Sequence, residues 1–131
     1  MCIRDSEYDW AQLQGFQIYT GARVPKYLSQ APLPALSDLA AIIPAAPATQ
    51  FFIELKRVAL EQFGVEAVLD AVLPILQPVA GQCCVISYHL AALQQVRERT
   101  RLPIGAVIDD WAMREEPAVA ELHSDLSLIH I

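Results

Sequence analysis

The stretch QFFIELK, Gln50 to Lys56, sets three large apolar residues in front of a carboxylate, a leucine and an ammonium. It is short, it follows the prolines Pro44 and Pro47, and it reads as a strand. Side chains alternate along a strand, so Phe52, Glu54 and Lys56 share one face and Phe51, Ile53 and Leu55 the other. The Cβ atoms of Glu54 and Lys56 are then roughly 7 Å apart. Both charges fall at the carboxyl end, where parallel α/β sheets build their sites. A carboxylate there can hold a hard cation, and a lysine beside it can meet an anion. A plain ion pair that caps the strand is the other reading of the same spacing.

Moving outward, strand-like and helix-like segments alternate. LPALSDLAAII before the strand has Leu36, Leu39, Ala40 and Ile43 at helical spacing, with Pro34 suited to a first turn. After the strand, VEAVLDAVLPIL aligns Val65, Val68, Leu69, Val72, Leu73 and Leu76 in one stripe. Pro74 lies inside that stripe, which predicts a kink or an early end. CCVIS is a second strand. LAALQQVRER turns Leu90, Leu93 and Val96 inward and Gln94, Arg97 and Glu98 outward. IGAVI is a third strand, and EEPAVAELH a last helix. Alternation with short links is the pattern of parallel βαβ units. Continuous apolar strands predict a sheet covered on both faces. Near the start, YDWAQLQ reads as a helical turn or two, and Arg23 to Pro34 as loop.

Composition limits the function classes. Hydrophobic residues make up 54% of the chain, enough for a packed core. No apolar run reaches the roughly 18 residues of a membrane span. The net charge is −6 without a basic cluster, which argues against a nucleic-acid partner. Cys83 and Cys84 are adjacent, without disulfide or zinc spacing, and read as small buried hydrophobes.

The two ends have a different expected origin. LSLIHI can be written CTG TCT CTT ATA CAC ATC followed by T. The reverse complement, read from its ATG, gives Met-Cys-Ile-Arg-Asp and the opening of a serine codon. MCIRDS is that translation. One inverted DNA element, similar to a transposase mosaic end, accounts for both termini. The expectation is that residues 1–6 and 126–131 are adapter-derived and stand outside the fold. Residues 7–125 would then be an internal piece of a longer protein, with the compartment left open.

The order of segments carries a resemblance. Leu33-Pro34-Ala35-Leu36, Ile53-Glu54-Leu55-Lys56, Ser87-Tyr88, Leu93-Gln94-Gln95-Val96-Arg97 and Leu102-Pro103-Ile104-Gly105 occur in that sequence. Together, from about Leu33 to Trp111, they resemble the middle of the glycerophosphodiester phosphodiesterase family. Alanine stands where that family has threonine, and Tyr88 where it has phenylalanine. The resemblance implies an incomplete arc of a (β/α)8 TIM barrel over residues 7–125. It implies hydrolysis of a small-molecule glycerophosphodiester to glycerol phosphate and an alcohol, with a divalent cation, Ca or Mg. It makes Glu54 a metal ligand and Lys56 a phosphate contact. A cation and an ammonium would neutralise charge on the phosphoryl oxygens in the transition state.

The family's His-Arg-Gly strand, its other acidic ligands and its second histidine are not recognisable in residues 7–32, so the piece alone is expected to be inactive. Glu7-Tyr8-Asp9-Trp10 does not supply the acidic pair, because Trp10 to Leu13 reads as helix. His89 reads as a helix-start residue and His123 as a surface residue. Asp109 and Asp110 read as loop acids within reach of a ligand, and Trp111 as a cover for the strand ends or an edge. Ser87 has no adjacent base. The alternative is a non-catalytic doubly wound α/β module that binds a partner or effector, with Glu54–Lys56 a structural pair.

Overall fold

The computed structural model describes residues 8–16 and 33–129. Its elements are α1 (Trp10–Gln14), α2 (Leu36–Ile42), β1 (Phe51–Glu54), α3 (Arg57–Phe63), α4 (Val65–Leu76), β2 (Cys83–Ser87), α5 (Leu90–Arg99), β3 (Ile104–Ile108), α6 (Pro117–Glu121) and β4 (Leu126–Ile129). Among the described residues the sheet has four strands in the order β1-β2-β3-β4. Each neighbouring pair is parallel. The fold is therefore α/β with a parallel sheet, as the alternation implies.

The helices form where the pattern places apolar stripes. In α4, Leu69, Leu73 and Leu76 are buried, and in α5, Ala92, Leu93 and Val96. Asp70 of α4 and Arg99 of α5 form an ion pair between them. Pro74 neither ends α4 nor stops its last turn, which closes from Gln77 N–H to Leu73 O. The ring sits on the exposed side, where water can serve the carbonyl that its missing N–H leaves.

At the start of α2, Pro34 stands one residue before the cap rather than in the first turn. Asp38 Oδ2 accepts from the Ala35 N–H at 2.9 Å and closes that end. Ala40 and Ile43 turn inward as expected, but Leu39 is exposed. The helix α1 matches the expected turn, capped by Asp9, whose Oδ1 accepts from Gln12 N–H at 2.8 Å. Of the predicted loop from Arg23 to Pro34, all but the last two residues lie outside the described residues.

Three features depart from the sequence reading. Arg57–Phe63, which the apolar pattern leaves unassigned, forms α3 and buries only Leu60. Gly64, at φ 83, turns α3 directly into α4, a conformation that suits glycine. The last helix is shorter than EEPAVAELH, because Trp111–Glu115 form a separate 3-10 turn and α6 begins at Pro117.

The third departure is at the end. Leu126–Ile129, expected to stand outside the fold, pair with β3 from Gly105↔Leu126 to Ile108↔Ile129. Asp125 guides this strand in. Its Oδ2 accepts from Ile104 N–H at 2.9 Å and from Arg97 Nη2 at 3.1 Å. Its own N–H donates to Ile104 O.

The two faces of the sheet are packed differently. Buried residues of α2 to α6 form one cluster with Cys83, Val85, Ile104, Ala106 and Ile108, and Phe51 and Ile53 pack against it. By alternation these strand residues share one face. Phe52, Cys84, Ile86, Gly105 and Val107 share the other and lie outside that cluster. Cys84, Gly105 and Val107 are nonetheless buried, so the second face is covered at its centre, while the buried residues of the described helices join the first. Phe52 is 50% exposed. Gly105 lies where strands crowd, since a Cβ there would meet Ile86 Cγ2 at 3.0 Å.

Among the described residues no single helix is long and apolar enough to cross a membrane. The bent pair α3–α4 has suitable length and composition, but Leu60, Leu69, Leu73 and Leu76 are committed to the core.

Candidate functional site

Glu54 is the last residue of β1, and Lys56 follows it as the residue that starts α3. The strand is therefore one turn of the alternation shorter than expected. The ladder still continues one step, from Leu55 N–H to Ile86 O at 2.9 Å. Lys56 Nζ lies 2.7 Å from Glu54 Oε2, with the lysine side chain largely exposed and that of Glu54 30% exposed. An exposed pair of this kind contributes about 0–1 kcal/mol. Its stability value alone gives no strong reason for two charges here.

Register brings the neighbouring strands to the same rim. Glu54 is level with Ile86, and Lys56 and Tyr88 each lie two residues further on, just past these neighbouring strand ends. Val107 follows one step beyond Ala106, the partner of Ser87, and Asp109 lies two residues past Val107 on the same side. The phenol of Tyr88 is pushed above the ordinary tyrosine range by desolvation first, then by the carboxylates of Asp109 and Glu54. Lys56 and Arg57 act in the opposite direction. Five charged or polar groups from three strand ends thus feel one another at the carboxyl rim.

Ser87 and His89 hold this rim together and do not face it as chemical groups. The Ser87 hydroxyl is fully buried, donates to Leu55 O at 2.7 Å and accepts from His89 N–H at 3.0 Å. That bridge ties the end of β1 to the end of β2. His89 Nδ1 accepts from Ala92 N–H at 3.1 Å and caps α5, as its position suggests. Asp110 Oδ1 accepts from Ala112 N–H at 2.8 Å and caps the 3-10 turn. Trp111 is exposed, with the Arg114 guanidinium 4.3 Å from its ring centre. His123, at φ 46, ends α6, and its carbonyl accepts from Arg97. Both cysteines are buried, and burial raises both thiols.

A hard divalent cation needs several oxygen ligands. Among the described residues no three of His, Cys, Asp and Glu group closely enough to hold one. Glu54 offers one carboxylate, already in contact with Lys56. The described residues therefore do not by themselves make a cation site. A groove of about 820 Å³ lies at the other end of the strands, between α4 and α5. Leu73, Gln77 and Leu102 line it together with the Asp70–Arg99 pair, and no Glu54 or Lys56 atom is near.

Sequence reasoning placed Glu54, Lys56 and Asp109 at strand ends and missed the part of Tyr88 and Arg57. The usable signal was position: Tyr88 is the first residue past a buried strand. No known protein family, characterised protein or solved structure matches the chain.

Proposed function

We propose that this chain is part of a (β/α)8-barrel hydrolase that cleaves glycerophosphodiesters to glycerol phosphate and an alcohol. The observation that carries this reading is topological. Strands follow in chain order through one parallel sheet, and the described helices return on one face. Continuing that pattern closes a barrel, with helices outside and the other face inside. A doubly wound sheet instead reverses its order and carries helices on both faces.

On this reading three of the eight strands, β1 to β3, are in hand, since β4 falls in the segment expected to be adapter-derived. Phe52, Ile86 and Val107 turn toward the barrel interior, and the rim of Glu54, Lys56, Tyr88 and Asp109 belongs to its mouth. Lys56 takes the phosphate as a point charge and offsets the charge that builds on its oxygens. Glu54 is one ligand of a divalent cation, Ca or Mg, whose remaining ligands come from outside the described residues. The acid–base histidines come from there too, so this chain alone is inactive.

The test is hydrolysis of glycerophosphocholine by the protein of the intact gene. Activity should vanish with chelator, return with Ca or Mg, and be absent in Glu54→Gln. A fully active Glu54→Gln protein overturns the reading. The 2.7 Å ion pair favours a second reading, a non-catalytic α/β module in which Glu54 and Lys56 are only structural. An intact protein without chelator-sensitive hydrolysis, yet less stable after Glu54→Gln, selects that second reading.

A further inference from the structure

We propose that the Tyr88 hydroxyl is a second anchor for the phosphate at this rim, donating a hydrogen bond to an oxygen of the group that Lys56 attracts. The inference rests on the phosphate reading of Lys56 and adds a residue that reading does not contain. The ligand class is a phosphate ester of glycerol.

The first argument is placement. Lys56 and Tyr88 follow directly on Leu55 and Ser87, which a hydrogen bond from the Ser87 hydroxyl to Leu55 O ties together, and the Lys56 ammonium turns back to Glu54. Adjacent strands run about 4.8 Å apart, so two such side chains reach one small anion. The charges of Lys56 and Arg57 act on the phenol, as do those of Glu54 and Asp109. These groups therefore share a neighbourhood.

The second argument is fixation. Tyr88 lies between two held residues. Ser87 before it is fully buried and bridges Leu55 O to His89 N–H. His89 after it caps α5. The backbone from which the phenol projects is thus set before any ligand arrives, which lowers the ordering cost of binding.

The third argument is chemistry. An ammonium on a four-carbon stem attracts an anion but orients it poorly. A phenol gives one directional donor. An ordinary phenol keeps its proton through the neutral range, so the donor is present there. Glu54 and Asp109 also repel an incoming anion, which makes a directed hydrogen bond worth more to the selection of phosphate over other anions.

The test uses this chain, with sn-glycerol 3-phosphate as the probe and tyrosine labelled with 13C at Cζ. In the unaltered chain the Tyr88 Cζ resonance should move on titration. Tyr88→Phe should weaken binding about five- to tenfold, the loss of one hydrogen bond to a charged group. Lys56→Ala should weaken it at least as much. Far-UV circular dichroism and thermal unfolding establish that both variants keep the fold. An unmoved Cζ resonance together with full affinity in Tyr88→Phe overturns this inference, while weakened binding in Lys56→Ala leaves the phosphate reading standing. Full affinity in Lys56→Ala overturns both.

Discussion

Cys83, Val85, Ser87, Ile104 and Ala106 on one face of the sheet have no exposed surface. On the opposite face Cys84 and Val107 are buried, but Phe52 at the edge is half exposed and Ile86 is only partly covered. Both faces are built from the same short apolar runs. The difference is in what packs on them, for the buried helical residues all join the first. Stability therefore concentrates on the helix side, while the rim charges extend from the other. A face that makes few of the core contacts can carry Glu54, Lys56 and Tyr88 with little effect on folding.

The largest expected effect is on the helix side. Leu93→Ala removes a fully buried side chain and should cost about 2–5 kcal/mol, read from the midpoint of a urea unfolding curve. Phe52→Ala, on the other face, should cost well under half of that. Equal losses would mean that the two faces are packed alike and would break the comparison. Next comes Ser87→Ala, which leaves Leu55 O and His89 N–H without their buried partner. It should cost about 1–3 kcal/mol in the same measurement.

Glu54→Gln should change stability by no more than about 0.5 kcal/mol, since its partner Lys56 is largely exposed. A change several times larger would make the pair a structural element of the fold. The smallest effect is that of pH on Tyr88. Its folded phenol holds its proton more tightly than the unfolded one, whose ordinary value is 10.0. The associated stability is complete below that pH and is lost as pH rises through the folded value. Phenolate absorbance at alkaline pH, compared with Tyr88→Phe, should place Tyr88 among the last tyrosines to ionise before unfolding.

Much of the fold was legible. The strands β2 and β3 and the helices α4 and α5 fall where the pattern puts them, because each buries a regular stripe. Helix α3 was not legible, because a helix that buries only Leu60 leaves no stripe to read. Strand β4 lies in the segment that the sequence reading set aside as adapter-derived. Four residues can form a strand only if a partner edge is offered, and β3 offers it through Asp125 and Arg97. On the second face Cys84 and Val107 are buried, as continuous apolar strands imply, but Phe52 is not. Apolar character on both sides of a strand states a capacity for burial, not what does the burying.

The candidate site divides in the same way. Alternation alone put Glu54 and Lys56 together at a strand end, since the two-residue period is a local property of the backbone. The pairing of that end with Tyr88 and Asp109 depends on the register between strands. Register is chosen by packing over the whole sheet, with Ser87 holding the two strand ends in step. The sequence by itself determined the α/β class, the central elements and the position of two charges. Only the tertiary structure decided which face the helices cover, which residues share the rim and what Tyr88 can reach, because these are contacts between segments far apart in the chain.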